Sequence, residues 1–576
     1  MANLLNDYYI QLGSYWQQLG QDIDGEAVFD QSGYSVSLSA DGTIVAIGAR
    51  YNNGNSGHVR VYQFQNGSWT QIGSDIDGEY GGDQSGFSVS LNSDGTIVAI
   101  GARYNSPSGH VRVYQLQNGS WTQMGSDIDG ESANDESGYS VSLNASGTIV
   151  AIGAPNNNPG SPGQGHVRVY QFQNGSWTQM GTDINGASGY DKSGISVSLS
   201  ADGQTIAIGS PFNDQNGTDS GHIRIYTWIN NSWTQKGSNI IGETARDESG
   251  TSVSLNADGT IVAIGAIRND GTTGSIGDNR GHVRIYKFVN NSWNLMGLDI
   301  DGEVSGDQTG YSVSLSANGL TVAIGAINND TNGSNSGNVR IYTFINNSWI
   351  KVGENINGET SNDQSGFSVS LSDDGQTIAI GAPSNDGINS DNIGHVRVYK
   401  LVPPPYSNIC FPSGTPVQLD QGIVPIDKIN PAIHTIRGNK IETVTRTITR
   451  DKYLICIETD ALAKNIPSQK TLISKNHKLF YNGKMVPAND LLLLNSNNDK
   501  IYKVKYSGEV LYNILLDNEK HDKMIVNNLI CETLDPKNGI ATMYYDMKNV
   551  NYSVLEKVNF IKEYNEYVIK NNTFRK

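Results

Sequence analysis

The stretch DQSGYSVSLSADGTIVAIGARYNNGNSGHVRVYQFQNGSWTQIG, residues 30–73, decides the fold. Ser35–Ser39 (SVSLS) alternates small polar and apolar residues, the period of a strand. Ser39–Gly42 (SADG) is a turn, with glycine supplying a positive φ. Thr43–Ala49 (TIVAIGA) is nearly all apolar, as expected of a strand covered on both faces. A variable Asn/Gly/Asp loop follows. Gly57–Phe64 (GHVRVYQF) alternates again, and Gln65–Ser68 carries Asn-Gly, a strong hairpin turn signal. Trp69–Gly73 (WTQIG) is a fourth strand.

Working outward, the same unit recurs along the chain. The tetrad Asp-x-Ser-Gly begins at Asp30, Asp83, Asp135, Asp191, Asp247, Asp307 (with Thr309 for Ser) and Asp363, seven copies 52 to 60 residues apart. Seven units of four short antiparallel strands predict an all-β chain whose first part is a seven-bladed β-propeller. The ends favour a ring over a linear solenoid, which would need polar caps. The last copy stops after Gly394–Leu401 (GHVRVYKL) and lacks its Trp strand. The N-terminus supplies an orphan one, Tyr15–Gly20 (YWQQLG). The first strand is therefore expected to complete the last blade and remove two open edges, closing a ring from about Trp16 to Leu401.

Asp-x-Ser-Gly-aromatic (Asp83–Phe87), then SVSL and VAIGA, resembles the FG-GAP repeat best known from the propeller of integrin α-chains. Ala154-Pro155 and Ala382-Pro383 keep the family's proline. The resemblance covers all seven copies and implies the architecture, not a ligand. Integrin-type repeats often hold calcium on Asp-x-Asp-x-Asp-Gly. Here the hairpins read SADG, NSDG, NASG or SDDG, too few oxygens for that ion, so no metal or cofactor site is carried over. Asp214, Asn216 and Asp219 read as a polar loop ahead of an ion site. The repeated Asp and the repeated Trp (Trp69, Trp121, Trp177, Trp233, Trp293, Trp349) read as structural, since an active site is normally unique. A propeller-based hydrolase lacks support, because no unique His/Asp/Glu cluster is evident in the blades.

Charge marks a boundary. Residues 402–576 hold 23 Lys/Arg and 18 Asp/Glu, leaving 17 and 39 for the rest, a balance of −22 within the chain's −17. An acidic propeller would repel phosphates, which excludes nucleic acid as its ligand. Pro403, Pro404 and Pro405 begin a semi-rigid linker over 402–409. All three cysteines (Cys410, Cys456, Cys531) follow it, an odd number that makes no disulfide framework. No apolar run is long enough for a membrane span, and MANLLNDYYIQLG does not read as a signal peptide. The compartment stays open, and the expected state is a monomer.

Residues 410–535 read as strands without repetition, a second compact β-domain, with 536–576 as a tail of short strand and polar helix. Cys410 with Gly414-Thr415-Pro416-Val417, then Ile426 and Ile429, resembles the first block of the Hint fold of hedgehog autoprocessing domains and inteins. Ser474-Lys-Asn-His477 is similar to that family's Thr-x-x-His block. Met485–Ala488 with Leu491–Leu494, and Val510–Asn513 with His521 and Ile525–Asn528, resemble the later blocks. The resemblance implies single-turnover self-cleavage: the Cys410 thiol attacks the Ile409 carbonyl by an N-to-S acyl shift. It implies that His477 protonates the leaving nitrogen, Ser474 contacts the same peptide and His521 assists proton transfer.

The sequence departs from the pattern in places. Leu529–Thr533 lacks the His-Asn that ends an intein, so cleavage or acyl transfer is expected in place of full splicing. Asn513 stands where an Asp often serves and cannot act as a base. No sterol-recognition region is evident in the tail. The alternative is a silent structural Hint fold, with His477 an ordinary surface strand residue. The propeller would then be a pure interaction module. In either reading its loops, such as Asn269–Gly281 and Asn328–Asn338, face an unknown protein or glycan.

Overall fold

The computed structural model describes residues 15–271, 277–345, 347–387, 392–402, 411–447, 453–482, 484–494, 499–505, 511–516, 523–526 and 529–532. Contacts divide the chain into two compact units, Trp16–Leu401 on one side and Met1–Tyr15 with Val402–Lys576 on the other.

The first unit is built of repeated antiparallel four-strand sheets, the architecture of a β-propeller. One sheet runs Ser32–Leu38, Ile44–Ala49, His58–Gln65, Ser68–Gln71, and the further sheets of the unit repeat its order. The second strand of every sheet is buried at each position, as the apolar run TIVAIGA demands. Each sheet carries one element absent from the sequence reading. A two-residue strand such as Ile76–Asp77 pairs with the start of the third strand, at His58 and Val59. Two residues show no periodicity, so nothing in the sequence flagged it.

Tyr15–Gln18 joins the last sheet, in the order Tyr15–Gln18, His395–Val402, Thr377–Ala382, Ser368–Leu371. Backbone hydrogen bonds then run around a circle. Ala40 N–H donates to Ser93, Ser93 to Ala145, Ala145 to Ala201 and Ala201 to Ala257. The series continues through Ala317 and Asp373, and Asp373 donates to Ala40 at 2.8 Å.

The repeated letters supply further links between sheets. The first Ser of SVSL donates to a glycine carbonyl of the next sheet, as Ser35 Oγ does to Gly86 at 2.8 Å. Each repeated Trp donates from Nε1 to a carbonyl of the preceding sheet, as Trp121 does to Ile72 at 2.9 Å. Trp16 does the same to Val352 at 2.9 Å. The sheets touch so closely that a Cβ on Gly381 would lie 2.0 Å from the Gly33 oxygen, which is why IGA keeps its glycine. The repeated Asp is structural as well. Asp83 is buried and accepts from Tyr80 N–H at 2.9 Å and Asn105 Nδ2 at 3.1 Å, pinning two loops.

The second unit is also β. Phe411–Pro412, Leu511–Leu516, Asn439–Thr447 and Thr435–Ile436 form one sheet. Pro416–Leu419, Gly422–Pro425, Lys523–Val526, Leu529–Glu532, Lys478–Tyr481 and Lys484–Pro487 form another. Thr471–Ile473, Tyr453–Ile457 and Ile501–Lys505 form a third. One core of Phe411, Ile441, Ile455, Leu479, Ile514, Val526 and their neighbours unites them. Cys456 and Cys531 are fully buried within strands. Among the described residues no helix is long and apolar enough to cross a membrane.

Candidate functional sites

Among the described residues two sets are candidate sites, one in each unit. In the second unit, Ser474 and His477 close a turn between Thr471–Ile473 and Lys478–Tyr481, with the His477 N–H donating to the Ser474 carbonyl at 3.2 Å. The Ala488 N–H donates to the His477 carbonyl at 2.9 Å, and Asn489 N–H to that of Lys475 at 2.8 Å. The turn is thereby tied on both sides. Both side chains are fully buried, so His477 is not the surface strand residue that a silent fold would allow. Its ring lies 4.4 Å from that of Phe411, tilted by 56°. Phe411, also fully buried, directly follows Cys410 in the chain. Cys410 and His521 lie outside the described residues. Asn513 is buried, and its Oδ1 accepts from the Ile514 N–H at 2.8 Å.

In the propeller, a set that the sequence reading missed recurs from sheet to sheet. The third strand opens on a buried histidine: His58, His110, His166, His222, His282 or His395, with Asn338 in the remaining copy. An Asp from the loop before the two-residue strand and a Glu from just after another such strand converge on it. The complete groups are Glu26–His58–Asp75, Glu79–His110–Asp127, Glu131–His166–Asp183, Glu243–His282–Asp299 and Glu359–His395–Asp22. His222 lacks the carboxylates, because Ala187 and Asn239 occupy those places.

An arginine two residues after each histidine completes the arrangement. Arg168 Nη2 donates to the Asp129 carbonyl at 2.6 Å, while its Nη1 lies 3.8 Å from Glu131 Oε1. Burial first, then this arginine, holds the His166 imidazole down to about 4. His222 is held at about 4 and His282 at about 3 by the same two causes in the same order. The rings are therefore neutral near pH 7. The signal in the sequence was the recurrence of G-H-V-R, S-D-I-D and G-E; the members of a group are dispersed along the chain and meet only across a sheet boundary.

The loop at Asp214 is laced by its own hydrogen bonds. Asp214 Oδ1 accepts from the Asp219 N–H at 2.8 Å, and Asn216 Nδ2 donates to the Gly242 and Glu243 carbonyls at 3.0 and 2.7 Å.

Repeated four-strand sheets around a circle of hydrogen bonds make the first unit a β-propeller. In agreement, the FG-GAP repeat family model matches residues 300–342, a span holding the Asp307 tetrad and three consecutive strands. Among solved structures, a chain of Kuenenia stuttgartiensis hydrazine synthase is similar at a TM-score of 0.41 and 12% identity, covering 68% of this chain and 98% of that one. A search of curated proteins finds no match.

Proposed function

We propose that residues 16–401 form a closed, seven-bladed FG-GAP-like propeller that acts as an interaction module, and that residues 410–535 form a Hint-like domain which cleaves at Ile409–Cys410. The observation that carries the second part is the contact of His477 with Phe411, 4.4 Å between ring centroids in a fully buried setting. It sets the imidazole against the residue that immediately follows the nucleophile. A buried imidazole there is suited to protonate the amide nitrogen as it leaves.

The reaction conserves atoms. The Cys410 Sγ, having given up its proton, bonds to the Ile409 carbonyl carbon. The C–N bond to Cys410 breaks, and the released nitrogen takes a proton and becomes the Cys410 α-amine. The intramolecular geometry supplies much of the rate. The resulting thioester passes to water or another nucleophile, which restores the thiol. Ser474 would contact the scissile peptide, and His521 would move a proton.

One observation favours the silent alternative. Asn513 is fully buried and its Oδ1 accepts from the N–H of the next residue, Ile514, and an amide there leaves the domain without a carboxylate base at that position. Hydroxylamine separates the two readings, because it cleaves thioesters at neutral pH and leaves peptides intact. Incubation of the full chain should release residues 1–409 as the hydroxamate, with Cys410→Ala inert. Identical, uncleaved wild-type and variant chains would establish the silent reading.

A further inference from the structure

We propose that the five His–Asp–Glu groups between successive propeller sheets each bind a divalent transition-type cation, of the zinc or manganese class. The donor geometry is the first argument. In four of the five groups the histidine Nδ1 stands 3.6–4.0 Å from both carboxylates, as in His110 with Asp127 (3.6 Å) and Glu79 (4.0 Å); in Glu26–His58–Asp75 only Asp75, at 3.6 Å, lies that near. That is beyond a hydrogen bond. It is close to the separation of two ligands on one ion: metal–ligand bonds near 2.1 Å give tetrahedral edges of about 3.4 Å. The ligand atoms within each group all lie within 4.8 Å of one another.

The second argument is the set of contacts behind the ligands. In four of the five groups the Asp has one oxygen held by a glutamine and the other on the histidine side; Asp299, with Leu295 in the glutamine's place, lacks that contact. In the third group, Gln179 Nε2 donates to Asp183 Oδ1 at 2.7 Å, while Asp183 Oδ2 lies 3.8 Å from His166 Nδ1. Arg168 faces Glu131 Oε1, and Glu131 Oε2 lies 3.8 Å from the same Nδ1. Gln18 with Asp22, Gln71 with Asp75 and Gln123 with Asp127 repeat the pattern. Outer contacts of this kind orient the ligands of a metal site.

His166 itself is left with an open ligand atom. It is 1% exposed, and its Nδ1, aimed at both carboxylates, has no hydrogen-bond partner among the described residues. One nitrogen and two anionic oxygens suit zinc or manganese better than calcium or magnesium, which prefer all-oxygen sites. The −22 balance outside residues 402–576 favours cation capture.

Two copies serve as built-in controls: His222 has Ala187 and Asn239 beside it, and Asn338 replaces histidine altogether. The full chain is dialysed against zinc or manganese, desalted, and its metal content measured by plasma mass spectrometry. Five ions per chain are expected. His166→Asn and Asp183→Asn, which copy residues the other sheets already use, should each lower the count by one. His222→Asn should leave it unchanged. Circular dichroism confirms that each variant is folded, and either of the two site variants suffices if the other misfolds. No retained metal, or a count unaltered in the site variants (adventitious binding only), would overturn the proposal.

Discussion

Ser368 Oγ donates to the carbonyl of Gly33 at 2.8 Å, across 335 residues of chain. The bond is the same one that Ser196 makes to Gly250, 2.8 Å long, between two sheets in the middle of the unit. A seam between first and last sheets is therefore built like any other sheet boundary. Ser368→Ala and Ser196→Ala should each cost about 1 kcal/mol, and their melting temperatures should agree. A far smaller effect at Ser368 would mean that the seam is open in solution.

Trp16 belongs to the strand that completes the last sheet. It packs on the cluster of Ile341, Ile378 and Tyr399, and donates to the Val352 carbonyl. Trp16→Ala should destabilise the propeller by about 3 kcal/mol through lost apolar contact and an unpaired carbonyl. Deleting residues 1–20 should do more, because it exposes the edge of His395–Val402. Thermal melts of both proteins check this; an unchanged midpoint contradicts closure by the first strand.

Buried histidines give the propeller an acid-sensitive stability. His222 is the clean case, since among the described residues no carboxylate forms an ion pair with it and only burial and Arg224 shift it. Burial, then Arg224, lowers it from 6.5 to about 4. Between those values the unfolded chain binds the proton and the native one does not, so stability present above pH 6.5 is lost as the pH falls toward 4. At pH 5 the loss from this group is about 2 kcal/mol. His222→Asn, which copies the residue found naturally at Asn338, should melt closer to wild type at pH 5 than at pH 7.5. Parallel pH profiles for the two proteins would refute the assignment.

The propeller was legible because every letter of the repeat has one job seven times over. Ser35 bonds the next sheet, Asp83 pins loops, Trp121 ties to the sheet before, and Gly381 admits a neighbour's backbone. The two-residue strands were not legible, since Ile76–Asp77 is too short to show a period. The His–Asp–Glu groups were hidden for a different reason. Glu131 and His166 are brought together only by the packing of one sheet on the next, which no local pattern encodes. His477 shows the same limit. The sequence offered it as a proton donor by resemblance or as a surface strand residue; only the structure shows it sealed against Phe411.

Replacing His477 tests its role apart from the nucleophile. His477→Ala should slow thiol-induced cleavage by about 100-fold or more while leaving the propeller's melting unchanged. Equal rates in variant and wild type would remove the histidine from the mechanism.

The most direct measurement is a time course of intact mass for the full chain in dithiothreitol, beside Cys410→Ala. The full-length species should disappear in the wild type. In its place should appear residues 1–409 carrying the thiol adduct or its hydrolysis product, and residues 410–576 with a free α-amine, both absent from the variant. A single full-length mass in both proteins at every time point would contradict cleavage at Ile409–Cys410.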